Sequence, residues 1–255
     1  MTEYQHENDL FSSRSEGDLV VVGMKRPVVD FATDLHTKEA FFSHLATVSR
    51  SPSVKALLLL HSRDALSDER YRSFIQNTLI GRSSKKRDVH DTDLLREENA
   101  LSQYILTAAT FRKLLISCLQ GATASPFFGA HLASDIRIVS DDFVVEMSHI
   151  ALGIPPDGGL GFFLPRYVGQ GRATEILLSG EPLPATRALE LGLVNAVVPS
   201  HDFEQNCLDA ARKYLTIPAA TIHPTKEIFF PFAGELEKYL AAELSAVLRG
   251  MGGHL

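Results

Sequence analysis

The chain has 255 residues, 45 % of them apolar and 22 % charged, with a formal net charge of −6. That length buries a sizeable core, and the acidic balance leaves no surplus of Lys or Arg to neutralise nucleic-acid phosphates. Only two cysteines occur, Cys118 and Cys207, which argues against a disulfide framework and suits a reducing compartment. The opening MTEYQHENDL lacks the basic-then-apolar order of a secretory leader, and no apolar run approaches the ~20 residues of a membrane span. The expectation is a cytoplasmic protein that binds neither nucleic acid nor membrane.

Short apolar runs predict strands at 19–22, 56–60, 114–119, 136–139, 143–147 and 194–198. Between the first two, residues 38–50 place Phe41, Phe42, Leu45 and Val48 on one side, the stripe a surface helix buries. The polar stretch 82–99 (RSSKKRDVHDTDLLREEN) reads as a loop leading into a helix, with Lys85-Lys86-Arg87 at its solvated tip. Further helices are expected at 173–178, 184–191 and 203–215, and Leu191-Gly192 reads as a helix stop, since glycine accepts the left-handed conformation there. Strand signals end near residue 200, while helical patterns continue to Arg249. Two regions follow: a core over 1–198 and a helical region over 199–255. The apolar face of the second (Phe229, Phe230, Phe232, Leu236, Tyr239, Leu240) would cover the core or a neighbouring subunit. Alternating strands and helices give an α/β fold with a mostly parallel sheet.

From Phe111 to Pro199 the chain resembles the crotonase (enoyl-CoA hydratase/isomerase) family. Three blocks carry the resemblance in the family's order and near its spacing. The first is LLISCLQG (114–121) followed by ASDIRI (133–138). The second is LGIPPDGG (152–159) followed by LPRYVG (164–169). The third comprises Gly171-Arg172, Gly180-Glu-Pro and ALELGLVN (188–195). Residues 1–110 resemble the family only weakly. The resemblance implies a spiral of ββα turns with a C-terminal helical trimerisation layer, hence a homotrimer or hexamer. It also implies an acyl-CoA thioester substrate, with CoA part of that substrate and no separate cofactor. An oxyanion hole of two backbone N–H groups would stabilise charge developing on the thioester oxygen.

Several residues depart from the family pattern. Its triple glycine falls on Ser125-Pro126-Phe127, and Pro126 has no N–H to donate. Ser125 as N-cap and Pro126 as first helical residue would leave Phe127 N–H as the donor; the alternative is a site filled by Phe127 and Phe128. The second donor comes from the 61–68 loop, with Ala65 and Ser67 as candidates. Both hydratase glutamates are missing: Gly129 stands at the first position and His149 at the second. Simple hydration is therefore disfavoured.

Two other residues carry chemistry. Asp157 falls where dienoyl-CoA isomerases and chlorobenzoyl-CoA dehalogenases of this family place a catalytic aspartate, and is otherwise a helix-capping turn residue. His149 is a candidate acid/base near neutral pH and would form a dyad with Asp157, as in the family's β-diketone hydrolases; otherwise it is a hydrogen-bonded pocket histidine. His131 is a secondary candidate, two residues from Gly129 and so off its helix face. No metal is expected, because His131, His149 and Asp157 match no ligand spacing. Three readings follow: an acyl-CoA isomerase, hydrolase or lyase using His149 and Asp157; a catalytically silent scaffold that binds a thioester; and a CoA-independent β-diketone hydrolase.

Overall fold

The computed structural model describes residues 4–32, 34–82 and 87–252. Strand β1 (His6–Glu7) pairs antiparallel with β2 (Phe11–Glu16), and β2 with β3 (Leu19–Met24). Helices α1 (Val28–Ala32) and α2 (Leu35–Arg50) lead to β4 (Ala56–His61), parallel to β3. Helices α3 (Asp68–Arg82) and α4 (Arg87–Ala109) precede β5 (Leu114–Leu119), parallel to β4. Next come β6 (Ala122–Ala124), α5 (Ser125–His131) and β7 (Ile136–Ser140), which lies parallel to β5.

The chain continues through β8 (Val144–Glu146), α6 (Ser148–Leu152), α7 (Leu160–Val168) and α8 (Gln170–Ser179). Then β9 (Leu183–Pro184) and α9 (Ala185–Glu190) lead to β10 (Ala196–Val198). Beyond β10 the described elements are the helices α10 (Phe203–Leu215), α11 (Ala219–Phe229) and α12 (Ala233–Gly252). The main sheet runs β1-β2-β3-β4-β5-β7-β10, and a second sheet runs β6-β8-β9. This is the expected α/β fold with a mostly parallel sheet. No described helix is long and apolar enough to cross a membrane.

Strand alternation explains the layering. Val20, Val22, Leu57 and Leu59 pack under Phe41, Leu45 and Val48 of α2. Their neighbours Leu19, Val21, Ala56 and Leu58 point the other way, to Phe203, Cys207 and Ala211 of α10. Both faces are covered, as a parallel sheet requires. Two residues of the ASDIRI block staple this arrangement. The Asp135 carboxylate accepts from Leu115 N–H and Lys226 Nζ, each at 2.7 Å, tying β5 to α11. The buried Arg137 guanidinium donates to the carbonyls of Leu193 and Ser134, both at 2.5 Å.

The stretch 82–99 departs from its expectation as a loop. From Arg87 it is helical, while residues 83–86, including Lys85-Lys86, lie outside the described residues. Leu94, Leu101 and Ile105 recur on one face and are fully or nearly fully buried, and this stripe holds the helix against the core despite its polar composition. In the C-terminal region Leu236 and Leu240 are buried in the core, whereas Phe229 is 78 % exposed.

The tightest packing around the site is between two backbones. Gly158, at φ +66°, lies so near α5 that a Cβ there would overlap the carbonyl of Pro126. A Cβ on Gly129 would lie 2.7 Å from Gly158 O and 2.9 Å from Leu160 N. Gly17 has the same φ, with nothing within 4 Å of its missing Cβ, so it isolates the cost of the dihedral alone. Urea denaturation should show Gly17→Ala losing ~1 kcal/mol and Gly158→Ala losing roughly 2–4 kcal/mol, strain plus overlap. Equal losses would contradict the contact.

Candidate active site

Helix α5 begins at Ser125 with Pro126 in its first turn and Ala124 as N-cap. The N-cap therefore sits one residue before the Ser125 that sequence suggests, because Ser125 already has helical geometry. The first N–H groups of a helix have no acceptor within it. Ser125 N–H donates to Ser148 Oγ at 3.3 Å, Pro126 has no N–H, and Phe127 N–H is the donor left over. The Phe127 ring is buried and meets Tyr71 edge to face, ring centres 5.5 Å apart.

Across from it lies the 62–67 turn. Ala65 N–H is spent on Ser62 O at 3.0 Å and Ser67 N–H on Asp64 O at 3.4 Å. Leu66 N–H, between them, donates to no acceptor among the described residues. Leu66 O accepts from Ala124 N–H at 3.0 Å and ties the turn to the start of α5. The two donors suggested by sequence, Ala65 and Ser67, flank Leu66 with their N–H groups engaged inside the turn.

The structure joins His149 to Ser125 rather than to Asp157. His149 Nε2 faces Leu177 O at 2.9 Å, so it carries the proton, and Nδ1 accepts from Ser125 Oγ at 3.2 Å. Burial lowers the pKa of the imidazole below its usual value. His131 is held through Nδ1 by Tyr104 Oη at 2.8 Å and Ser117 Oγ at 3.1 Å. Its ring stands edge-on to His61, centres 4.5 Å apart. Burial, then His61 and Arg137, hold it well below the usual imidazole range.

Asp157 is fully buried. Tyr71 Oη donates to its Oδ2 at 2.5 Å, while Oδ1 has no partner among the described residues. The turn carrying it occupies the space beside Gly129, so backbone stands where a side chain at 129 would project. Around Asp157 stand three further buried carboxyls that sequence reading missed: Glu97 and Glu98 on α4, and Glu243 on α12. Both oxygens of Glu97 and Oε1 of Glu98 lack partners among the described residues, whereas Glu243 accepts from Gly159 N–H at 3.0 and 3.2 Å. A signal did exist, because Glu97 and Glu98 interrupt the apolar stripe Leu94, Leu101, Ile105. Among the described residues no group of His, Cys, Asp or Glu is arranged to hold a metal.

A cavity of about 40 Å³ opens beside this cluster, lined by Leu66, Phe127, Glu97, His61, His131 and Tyr104 among others. It has room for on the order of three waters. Burial is the first cause of every carboxyl shift here, raising Asp157 to about 6 and Glu97 and Glu243 to about 8. The Asp157 charge raises Glu97 further, and the Tyr71 hydrogen bond restrains Asp157. At neutral pH Asp157 is therefore mainly ionised, while Glu97 and Glu243 hold protons. Raised carboxyl pKa values mean that the folded chain binds protons more tightly than the unfolded one. Their stabilisation is full below the ordinary carboxyl pKa of about 4, falls as pH rises above it, and is lost by about 6 for Asp157 and about 8 for Glu97 and Glu243. Melting curves should show the transition temperature falling across that window, and Glu97→Gln should flatten the fall. A transition temperature that rises across the window would contradict these assignments.

A sequence model of the family described as enoyl-CoA hydratase/isomerase matches residues 14–247. The YhaR protein of Bacillus subtilis (strain 168), named for that family, is 28 % identical over 159 residues, 62 % of this chain and 62 % of its own length. The 4-chlorobenzoyl coenzyme A dehalogenase-1 of an Arthrobacter species is 32 % identical over 110 residues, 43 % of this chain and 40 % of its own. The matched stretch thus spans less than two thirds of either relative. An enoyl-CoA hydratase crystal structure from Bacillus halodurans superposes with a TM-score of 0.78 over 95 % of each chain at 19 % identity, a likeness of fold. With the family match running over nearly the whole chain, this protein belongs to the enoyl-CoA hydratase/isomerase (crotonase) family.

Proposed function

We propose that this protein is an acyl-CoA isomerase that moves a double bond next to the thioester, with Asp157 as the proton-transfer base. The observation that carries the reading is the buried Asp157 carboxylate, oriented by Tyr71 through Oδ2 with Oδ1 left unpartnered among the described residues. Its pKa near 6 suits a base that is ionised at neutral pH and reprotonates readily. Leu66 N–H from the 62–67 turn and Phe127 N–H from the first turn of α5, two residues that line one cavity, would stabilise the enolate oxygen. Isomerisation consumes no water, which fits a small, largely apolar cavity and the absence of the glutamate pair at 129 and 149. His149 supports the site through Ser125, and its two engaged nitrogens disfavour hydrolysis by a His149–Asp157 dyad. CoA enters as part of the substrate. A homotrimer or hexamer belongs to the same proposal, supported by the exposed Ile228 and Phe229 of the C-terminal layer.

A silent thioester-binding scaffold is the second reading. It is favoured by the cavity volume of about 40 Å³, against ~300–1,000 Å³ for typical ligand pockets, since an acyl group would have to displace side chains to enter. Turnover separates the two. The protein should convert vinylacetyl-CoA, a short 3-enoyl thioester, to its conjugated isomer without hydrating crotonyl-CoA. Asp157→Asn should lower kcat by ~10²–10⁴ while leaving the transition temperature at neutral pH unchanged or raised. Hydration of crotonyl-CoA, or full activity in Asp157→Asn, would refute the isomerase reading. A wild-type protein inert on both substrates would favour the scaffold.

A further inference from the structure

Of the four buried carboxyls Glu97 lines the cavity, and Asp157 meets an acyl chain only once side chains give way, as entry of a substrate into about 40 Å³ requires. Glu97 belongs to α4, with 1 % of its surface exposed and both side-chain oxygens unpartnered among the described residues. Leu66 and Phe127, whose N–H groups would receive the thioester oxygen, line the same cavity. A carboxyl buried without partners costs several kcal/mol relative to water, and a leucine would fill the α4 stripe without that penalty. Glu98, its neighbour, does not line the cavity. Glu97 also interacts electrostatically with Asp157, so the two carboxyls sit at one site.

We propose that Glu97 is a second catalytic residue: it delivers the proton at the far end of the allylic system after Asp157 has removed one beside the thioester. The inference rests on the isomerase reading. In the forward step the C2–H bond breaks, its proton passes to Asp157 Oδ1 and its electron pair enters a dienolate. The C3–C4 π pair then takes the proton of Glu97 to form a C4–H bond. The C2–C3 double bond forms and the thioester carbonyl is restored. Asp157 is left protonated and Glu97 ionised, and once product leaves, loss of the Asp157 proton to water and uptake of one by Glu97 reset the site. Burial and the Asp157 charge keep Glu97 protonated at neutral pH, the state this role requires.

The test uses the full chain with vinylacetyl-CoA in D₂O, following conjugated product by absorbance and deuterium at C2 by mass spectrometry. Glu97→Gln should lose product formation by ~10²-fold or more while still exchanging the C2 hydrogen. Asp157→Asn should lose both exchange and product. Glu97→Asp, which keeps a transferable proton, should restore part of the lost product, a rescue that a packing role does not predict and that stands even if Glu97→Gln folds poorly. Product formation by Glu97→Gln within about threefold of wild type would overturn the role of Glu97 and leave the isomerase reading intact. Joint loss of exchange and product in a folded Glu97→Gln, without rescue by Glu97→Asp, would do the same. A wild-type protein that neither exchanges nor isomerises would overturn the isomerase reading and this inference with it.

Discussion

The site depends on one contact between two backbones. Gly158 lies against the Pro126 carbonyl, and Gly129 lies against Gly158 and Leu160, at separations no side chain fits. Because the 155–159 turn presses so far into α5, no glutamate can project from position 129, and the space it would occupy is filled by main chain. The same contact sets Asp157 deep in the interior beneath Tyr71, with the Gly159 N–H turned to Glu243. The exclusion of any side chain at 129 and the burial of a carboxylate at 157 are thus two results of a single packing arrangement.

A second constraint follows from depth. Four carboxyls drawn from α4, α12 and the turn are buried together in the interior. Such a cluster persists only if most of its members keep their protons, since buried like charges are costly. Asp157 keeps its charge most readily, because Tyr71 donates to it and its own backbone N–H assists. Glu243 has backbone donors that Glu97 lacks. Sites of this kind exchange stability for function, and here the cost falls on a helix whose remaining inward face is ordinary apolar core.

The fold was largely legible in the sequence, and the site only partly. The strands at 56–61 and 114–119 are short runs of aliphatic residues bounded by turns, and helix 203–215 carries a clear apolar stripe; local pattern and tertiary burial agree there. Helix α4 is hard to read because its polar residues outnumber its buried ones, so composition points to a loop while the stripe at Leu94, Leu101 and Ile105 points to a helix. Asp157 was visible through its place in the Pro-Pro-Asp-Gly-Gly turn. Its partners Tyr71 and Glu243 were not, because contacts that span 86 residues of chain leave no local trace, and Glu97 shows only as a break in the apolar stripe of α4. His149 was visible as a residue type at a site position, but its hydrogen bonds to Ser125 and Leu177 depend on the packing of α8.

The proposed reaction requires an acyl thioester to enter this interior. Calorimetric titration of the purified protein with CoA, acetyl-CoA and crotonyl-CoA tests that directly. Affinity that rises from CoA to the acyl thioesters, with a negative heat-capacity change as apolar surface is buried, is the predicted result. Equal affinity for all three, or binding to none, would contradict it.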